Sequence, residues 1–266
     1  SQRLLSWIAW RSQNVLMPFG EYTHSISFRM PRIEFNNTLP AHFIWFCEPT
    51  HHRVEGDRIT LVSDSGTDFW QRTHYGFRNN NGHCLWTDVS GDFVVKTHVC
   101  YTPQHQFDQA GLIVYFTEDY WVKCSVEREV ATPYNLASVV TNEGYSDWAT
   151  QPFRKQTVDM EFMIKHLRTD FEVYCREVGE SEWQQLRISR LNLPLDTVFH
   201  VGIYACSPKV GGFEASFDRF VEACVADDCP LGSTKEEALA RFDLGEKLFA
   251  RVDRLSGGER QRLGLA

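Results

Sequence analysis

Short runs in which apolar and polar side chains alternate dominate the middle of the chain and most constrain its fold. Within residues 93–99, the odd-numbered side chains would face one way in an extended strand and the even-numbered ones the other. Four further runs repeat this period of two, at residues 158–165, 171–176, 199–205 and 213–218. About a dozen such runs follow one another at intervals of roughly 8–15 residues, with turn-forming residues and no helical pattern between them. The pattern predicts an all-β sandwich or barrel rather than alternating strands and helices.

Composition narrows the classes of partner. Hydrophobic residues make up 42% of the 266 positions and aromatic residues 14%, which is enough for a sizeable core. The formal net charge of −8 disfavours nucleic acid and membrane surfaces as partners, since both attract cationic proteins. No apolar run approaches the ~20 residues that span a bilayer. The eight cysteines form no Cys-x-x-Cys pair and mostly lie in apolar runs, so we expect reduced thiols in a cytoplasmic protein.

Changes in pattern divide the chain into three segments. Residues 1–35 show no clear period and are predicted to be an N-terminal extension. Residues 36–228 carry the alternating runs and are predicted to form the sandwich domain. In residues 229–266 the apolar side chains recur at helical spacing, so this segment is predicted to be a short α-helical C-terminal extension.

The C-terminal segment contains a well-known string. The sequence RVDRLSGGERQRLGLA, residues 251–266, resembles the signature motif of ABC-transporter ATP-binding subunits. With the helical pattern before it, the resemblance covers residues 233–266 and points to the phosphonate-importer branch. A working nucleotide site also needs a Gly-x-x-x-x-Gly-Lys-Ser/Thr loop to hold the phosphates, and this chain has none. We therefore expect that the chain is not an ATPase by itself.

A second resemblance rests on strings in the middle of the chain. They include TDFWQRTHYGF at residues 67–77, FDQAGL at 107–112, VVTNEGYSDW at 139–148 and VGIYACSP at 201–208. In this order they resemble the domain of unknown function 1349 family, also called regulation-of-enolase-like, over residues 38–222. That family lies in the concanavalin A-like lectin/glucanase superfamily, so the resemblance implies an antiparallel two-sheet jelly-roll sandwich. The family has no settled activity, and no catalytic residues are carried over from it.

Residues 109–116 and 121–129 predict a hairpin whose second strand has one apolar and one polar face. The polar face would carry an aromatic ring, an ammonium group and two carboxylates. Sugar sites combine a ring for stacking with charged groups that bind hydroxyls. Nearby segments, including a loop expected at residues 146–148, would complete the site on the concave sheet face. The candidate ligand-binding residues are Trp70, Tyr75, His83, Asp108, Gln109, Trp121, Lys123, Glu127, Ser146, Asp147 and Trp148.

Several functions are compatible with these residues. The leading hypothesis is a non-catalytic module that binds a carbohydrate or another small polar ligand. The first alternative is a glycoside hydrolase in which Glu127 acts with Glu129 or Asp108, because paired carboxylates run that chemistry. Further alternatives are a plain solvated face and a regulatory domain that binds a protein partner. No His-x-x-x-His pair and no Asp/Asn-rich loop occurs, so we expect neither a metal nor another cofactor.

Overall fold

The chain folds as a sandwich of two antiparallel sheets with seven strands each. The structure, a computed structural model, describes residue 33, residues 35–129 and residues 133–224. No helix occurs in these ranges, which confirms the predicted all-β jelly-roll class. The helical extension predicted for residues 229–266 and most of the N-terminal extension lie outside the described residues.

The strands follow one another along the chain with short connections. In chain order they are β1 (Ile44–Phe46), β2 (His51–Glu55), β3 (Arg58–Val62), β4 (Phe69–Gln71), β5 (Arg78–Asn80), β6 (His83–Ser90), β7 (Phe93–Tyr101), β8 (Gln109–Thr117), β9 (Tyr120–Glu127), β10 (Tyr134–Asn142), β11 (Tyr145–Phe153), β12 (Val158–Leu167), β13 (Asp170–Glu177), β14 (Gln184–Arg190), β15 (Val198–Cys206) and β16 (Glu214–Cys224). The first sheet has the order β1-β6-β15-β8-β9-β10-β11, and the second β14-β13-β12-β7-β16-β3-β2. β4 and β5 pair as a separate two-stranded hairpin.

The main core lies between the two sheets. The alternating runs supply it, because one face of each strand turns inward: Val158, Met160 and Phe162 of β12 are all buried. Tyr101 of β7 adds a polar link between the sheets. Its hydroxyl donates to the carbonyl oxygen of Ala110 and accepts from the backbone N–H of Val126, both on the first sheet. The buried faces of these strands are the apolar faces that the alternating pattern predicted.

A second, smaller apolar cluster lies on the outer face of the first sheet, away from the main core. The β4–β5 hairpin covers this face, and we call it the roof hairpin. Phe69 of β4 is fully buried and lies edge-on to the rings of Trp121, at 5.9 Å, and Tyr204, at 6.2 Å. The roof hairpin thus turns an outer sheet surface into an enclosed one, and it positions the candidate site.

Within the described part of the chain, no helix is long and apolar enough to cross a membrane.

Candidate functional site

A cavity of about 300 Å³ lies between the outer face of the first sheet and the roof hairpin. Strands β8 and β9 form its floor, β10 and β11 contribute a wall, and segments around the roof hairpin complete it. Its lining consists of Asp68, Phe69, Trp70, Tyr75, Phe77, Asn79, Phe107, Gln109, Lys123, Glu127, Val139, Trp148, Pro208 and Lys209.

Polar groups on adjacent strands make the floor. Gln109 of β8 pairs in register with Glu127 of β9, and Lys123 lies on the same face of β9 because strand side chains alternate. The exposed fractions of these side chains are only 2%, 8% and 3% respectively. Lys123 Nζ donates to Gln109 Oε1 at 2.7 Å, and the hydroxyl of Tyr204 donates to the same oxygen at 3.1 Å. An oriented amide and a buried ammonium group therefore face the cavity.

Lys123 and Glu127 are both buried but are not paired with each other. Among the described residues, no carboxylate lies within 4.0 Å of Lys123 Nζ, and the Glu127 carboxyl group accepts no hydrogen bond. Burial raises the pKa of Glu127 to about 8; the nearby ammonium group of Lys123 lowers it, and the carboxylate of Asp68 raises it further. The Glu127 carboxyl group is therefore mostly protonated at neutral pH and can both donate and accept a hydrogen bond.

Aromatic rings surround this polar floor. Trp70 lies edge-on to Trp148, with ring centroids 6.4 Å apart, and edge-on to Tyr75 at 5.6 Å. Tyr75 and Phe77 stack on each other with ring centroids 5.6 Å apart and planes 18° apart. The cavity therefore offers ring faces and edges above a floor of hydrogen-bonding groups.

The structure brings together six of the eleven predicted ligand-binding residues. Those that line the cavity are Trp70, Tyr75, Gln109, Lys123, Glu127 and Trp148. Trp121 shares the face of Lys123, as expected, but it is fully buried beneath Phe69. Its indole N–H donates to the carbonyl oxygen of Glu118. Trp121 thus supports the site from below instead of offering a ring to a ligand.

The other four predicted residues have structural partners outside the cavity. His83 accepts from the backbone N–H of Asp64 through Nε2, and the carboxylate of Asp108 accepts from the hydroxyl of Ser207 and from two backbone N–H groups. Residues 146–148 were expected in a loop, but they lie in the edge strand β11, paired with β10. There Ser146 is buried, while Asp147 is exposed and forms an ion pair with Arg187.

The carboxyl pairs considered for hydrolysis are not assembled at the cavity. Asp108 is fully buried and does not line it. Glu129 follows the end of β9, is exposed, and accepts a hydrogen bond from the side-chain amide of Asn135. The carboxylate that shares the cavity with Glu127 is Asp68, at the start of the roof hairpin.

Several lining residues were not among the predicted ones. Asp68, Phe69 and Phe77 belong to the string at residues 67–77 that was already singled out, so that string held a usable signal. Phe107 likewise begins the string at residues 107–112, whereas Lys209 lies outside the quoted strings and about a hundred positions from Phe107. They meet only because β8 begins where β15 ends, with Gln109 opposite Cys206 in register.

The described residues contain no group of three or more His, Cys, Asp and Glu side chains that could hold a metal ion.

Curated proteins of two kinds are similar to parts of the chain. The chain is 26% identical over 188 residues to Regulation of enolase protein 1 of Saccharomyces cerevisiae, covering 71% of this chain and 92% of the yeast protein. Over 59 residues, 22% of this chain, it is 84% identical to the phosphonates import ATP-binding protein PhnC of a Polaromonas species, of which the match covers 19%. The resemblance to a phosphonate importer is thus confirmed, but only over a short stretch.

Solved structures share the fold. A functionally unknown protein of Saccharomyces cerevisiae superposes with a TM-score of 0.64 at 26% identity, covering 69% of this chain and 97% of that chain. A xylan β-1,4-xylosidase of Bacillus halodurans superposes with a TM-score of 0.58 at 16% identity, covering 79% of this chain and 41% of that chain. A family model described as protein of unknown function (DUF1349) matches residues 45–223, which is most of the chain. The chain therefore belongs to the DUF1349 family.

Proposed function

We propose that the chain is a non-catalytic binding module and that its cavity takes one ring of a neutral pyranose sugar. The observation that carries the proposal is the pair Lys123 and Glu127, both more than nine-tenths buried, facing one cavity without contacting each other. A buried ammonium group needs acceptors for all of its N–H donors. Among the described residues Lys123 has one such acceptor, Gln109 Oε1, besides the rings of Trp121 and Tyr204 at 5.6 Å and 5.4 Å. A sugar hydroxyl fits this need, because it can accept from the ammonium group while it exchanges a hydrogen bond with the carboxyl group.

The aromatic walls support the same ligand class. A pyranose ring has a C–H-rich face that packs on aromatic rings and hydroxyls that point outward in its plane. Trp70 and Trp148 supply apolar wall surface, and Gln109 supplies a further polar partner at the floor. A volume of about 300 Å³ lies at the lower end of small-molecule pockets, which suits a single ring.

The proposal predicts that the full chain binds at least one of three sugar series in a calorimetric titration. The series are xylose, glucose and mannose, each with its β-1,4-linked disaccharide and trisaccharide. Lys123→Met and Glu127→Leu keep the side-chain volume and remove the polar groups, so each should weaken binding at least tenfold. Glu127→Gln, which still forms hydrogen bonds, should retain part of the affinity.

Glu55→Leu is the control, because Glu55 is exposed on β2 of the other sheet. It should bind like the parent chain. If none of the three series binds, or if Lys123→Met binds as the parent does, the proposal is wrong.

A second candidate, glycoside hydrolysis, is favoured by one observation. A general acid needs a pKa near the working pH, and Glu127 has one raised to about 8 while Asp68 lines the same cavity. If the parent chain releases sugar from the trisaccharides and Glu127→Gln abolishes release but not binding, the module is a hydrolase. If no sugar is released, binding alone remains.

A further inference from the structure

We propose that the site has two subsites: the cavity holds a terminal sugar ring, and the stacked pair Tyr75–Phe77 at its rim holds the next ring of the chain. This inference rests on the proposed function and specifies its ligand as the end of an oligosaccharide. Two observations support it: the exposed fraction of the lining side chains rises from the floor to the rim, and the loop that carries Tyr75 and Phe77 has a fixed conformation.

The lining is buried at the floor and open at the rim. Lys123 is 3% exposed, whereas Tyr75 and Phe77, which also line the cavity, are 52% and 44% exposed. The main core lies behind β8 and β9, so a ligand cannot continue through the floor. A chain longer than one ring must therefore leave the cavity past the rim.

The rim offers a ready surface for that second ring. Tyr75 and Phe77 stack nearly parallel and together present exposed aromatic area at one point. Exposed large apolar surface that is contiguous tends to mark an interaction site. Lys209, which is exposed, also lines the cavity, with its ammonium group 5.8 Å from the ring centroid of Phe107.

The loop that carries this pair is held in a costly conformation. Arg72 and His74 adopt left-handed backbone angles, with φ of 54° and 64°, which side-chain-bearing residues rarely adopt. The loop is closed by the backbone hydrogen bond from Arg72 to Phe77, and its turn is fixed by the indole N–H of Trp70, which donates to the carbonyl oxygen of Thr73. The rings are thus placed before any ligand arrives, which reduces the entropy lost on binding.

The test compares affinities along each sugar series with the full chain. In the series that binds, the disaccharide should bind three- to tenfold more tightly than the monosaccharide, the range expected for one aromatic contact. Tyr75→Ala and Phe77→Ala should each remove most of this gain, so that within each variant the disaccharide binds about as tightly as the monosaccharide. Phe116→Ala, a change of another exposed ring at the end of β8, should alter neither affinity.

The outcomes separate the two proposals. Equal affinity for monosaccharide and disaccharide in the parent chain would overturn the second subsite and leave the sugar cavity intact. A loss of monosaccharide affinity in Tyr75→Ala, matched by an equal loss for the disaccharide, would place Tyr75 in the first subsite and also overturn the inference. Absence of binding in all three series would overturn the proposed function itself. A thermal melt of each variant would identify any that fails to fold. If Tyr75→Ala fails to fold, Tyr75→Leu replaces it.

Discussion

At the scale of single residues, Glu127 is a carboxyl group held almost out of contact with water. It lies 8% exposed on a face that strand alternation assigns to the outside of the sheet. Alternation predicts which side chains share a face, and it placed Lys123 and Glu127 together correctly. It cannot predict burial, because that depends on a roof hairpin that lies some fifty positions earlier in the chain.

The raised pKa of Glu127 makes stability depend on pH. Its folded-state pKa is about 8 against an ordinary value of 4.5, so between these pH values the folded chain holds a proton that the unfolded chain has released. Stability from this group therefore falls as pH rises through that window and levels off above it. Glu127→Gln cannot ionise. Its free energy of unfolding should therefore equal that of the parent near pH 4.5, and should exceed it at pH 9 by a few kcal/mol, the energy that corresponds to the pKa difference.

Urea unfolding of both chains at pH 4.5, 7 and 9 measures this difference, because the other titrating groups contribute equally to the stability of the two chains. Glu55→Gln is the matched control at an exposed position and should run parallel to the parent at every pH. If the free energies of unfolding of Glu127→Gln and the parent differ most at pH 4.5, the assignment of a raised pKa to Glu127 is wrong.

At the scale of elements, the roof hairpin decides whether the site exists. The hairpin of β8 and β9 was predicted from its two alternating runs and is confirmed, with the turn at residues 118 and 119. β4 and β5 were not predicted as a pair, because each has only three residues and neither shows a period long enough to read. Their position comes from tertiary contacts, above all those of Phe69.

One hydroxyl group ties the roof hairpin to the edge of the first sheet. The backbone N–H of Gln71 donates to Ser146 Oγ at 2.8 Å, and that hydroxyl also shares a hydrogen bond with Thr141 Oγ1 at 2.7 Å. All three side chains are buried. Ser146, predicted from its sequence context as a ligand contact, therefore has a structural role in the described part of the chain.

Ser146→Ala should leave the N–H of Gln71 buried without a partner, which costs about 1–3 kcal/mol. The loss should be local, so amide hydrogen exchange at β4 and β5 should quicken more than exchange at β12 in the main core. Ser189→Ala is the control, since Ser189 Oγ is buried without any hydrogen-bond partner and its removal should not destabilise the chain. Equal exchange rates in Ser146→Ala and the parent would show that the hydroxyl does not hold the roof hairpin.

At the scale of the whole molecule, the sandwich begins earlier than its alternating runs. Those runs predict a domain over residues 36–228, and no strand precedes β1 in the described residues. Phe35 nevertheless packs in the main core at 2% exposure, edge-on to Phe43, and its backbone N–H donates to Asp57. A single buried ring without a strand around it has no periodic signal, so sequence patterning cannot detect it.

This packing gives a sharp test of the domain boundary. The backbone N–H of Ile33 donates to the carbonyl oxygen of Phe220 on β16, so the chain before residue 36 adds a polar contact as well as a ring. A chain of residues 36–228 loses both and should be less stable in urea than a chain of residues 33–228 by about 3 kcal/mol, the usual cost of deleting a buried Phe side chain. Phe35→Ala within residues 33–228 isolates the ring and should account for most of the difference. If the chain of residues 36–228 proves as stable as the chain of residues 33–228, Phe35 does not belong to the core. If the chain of residues 33–228 melts cooperatively at the melting temperature of the full chain, the sandwich needs no residues beyond these for its stability.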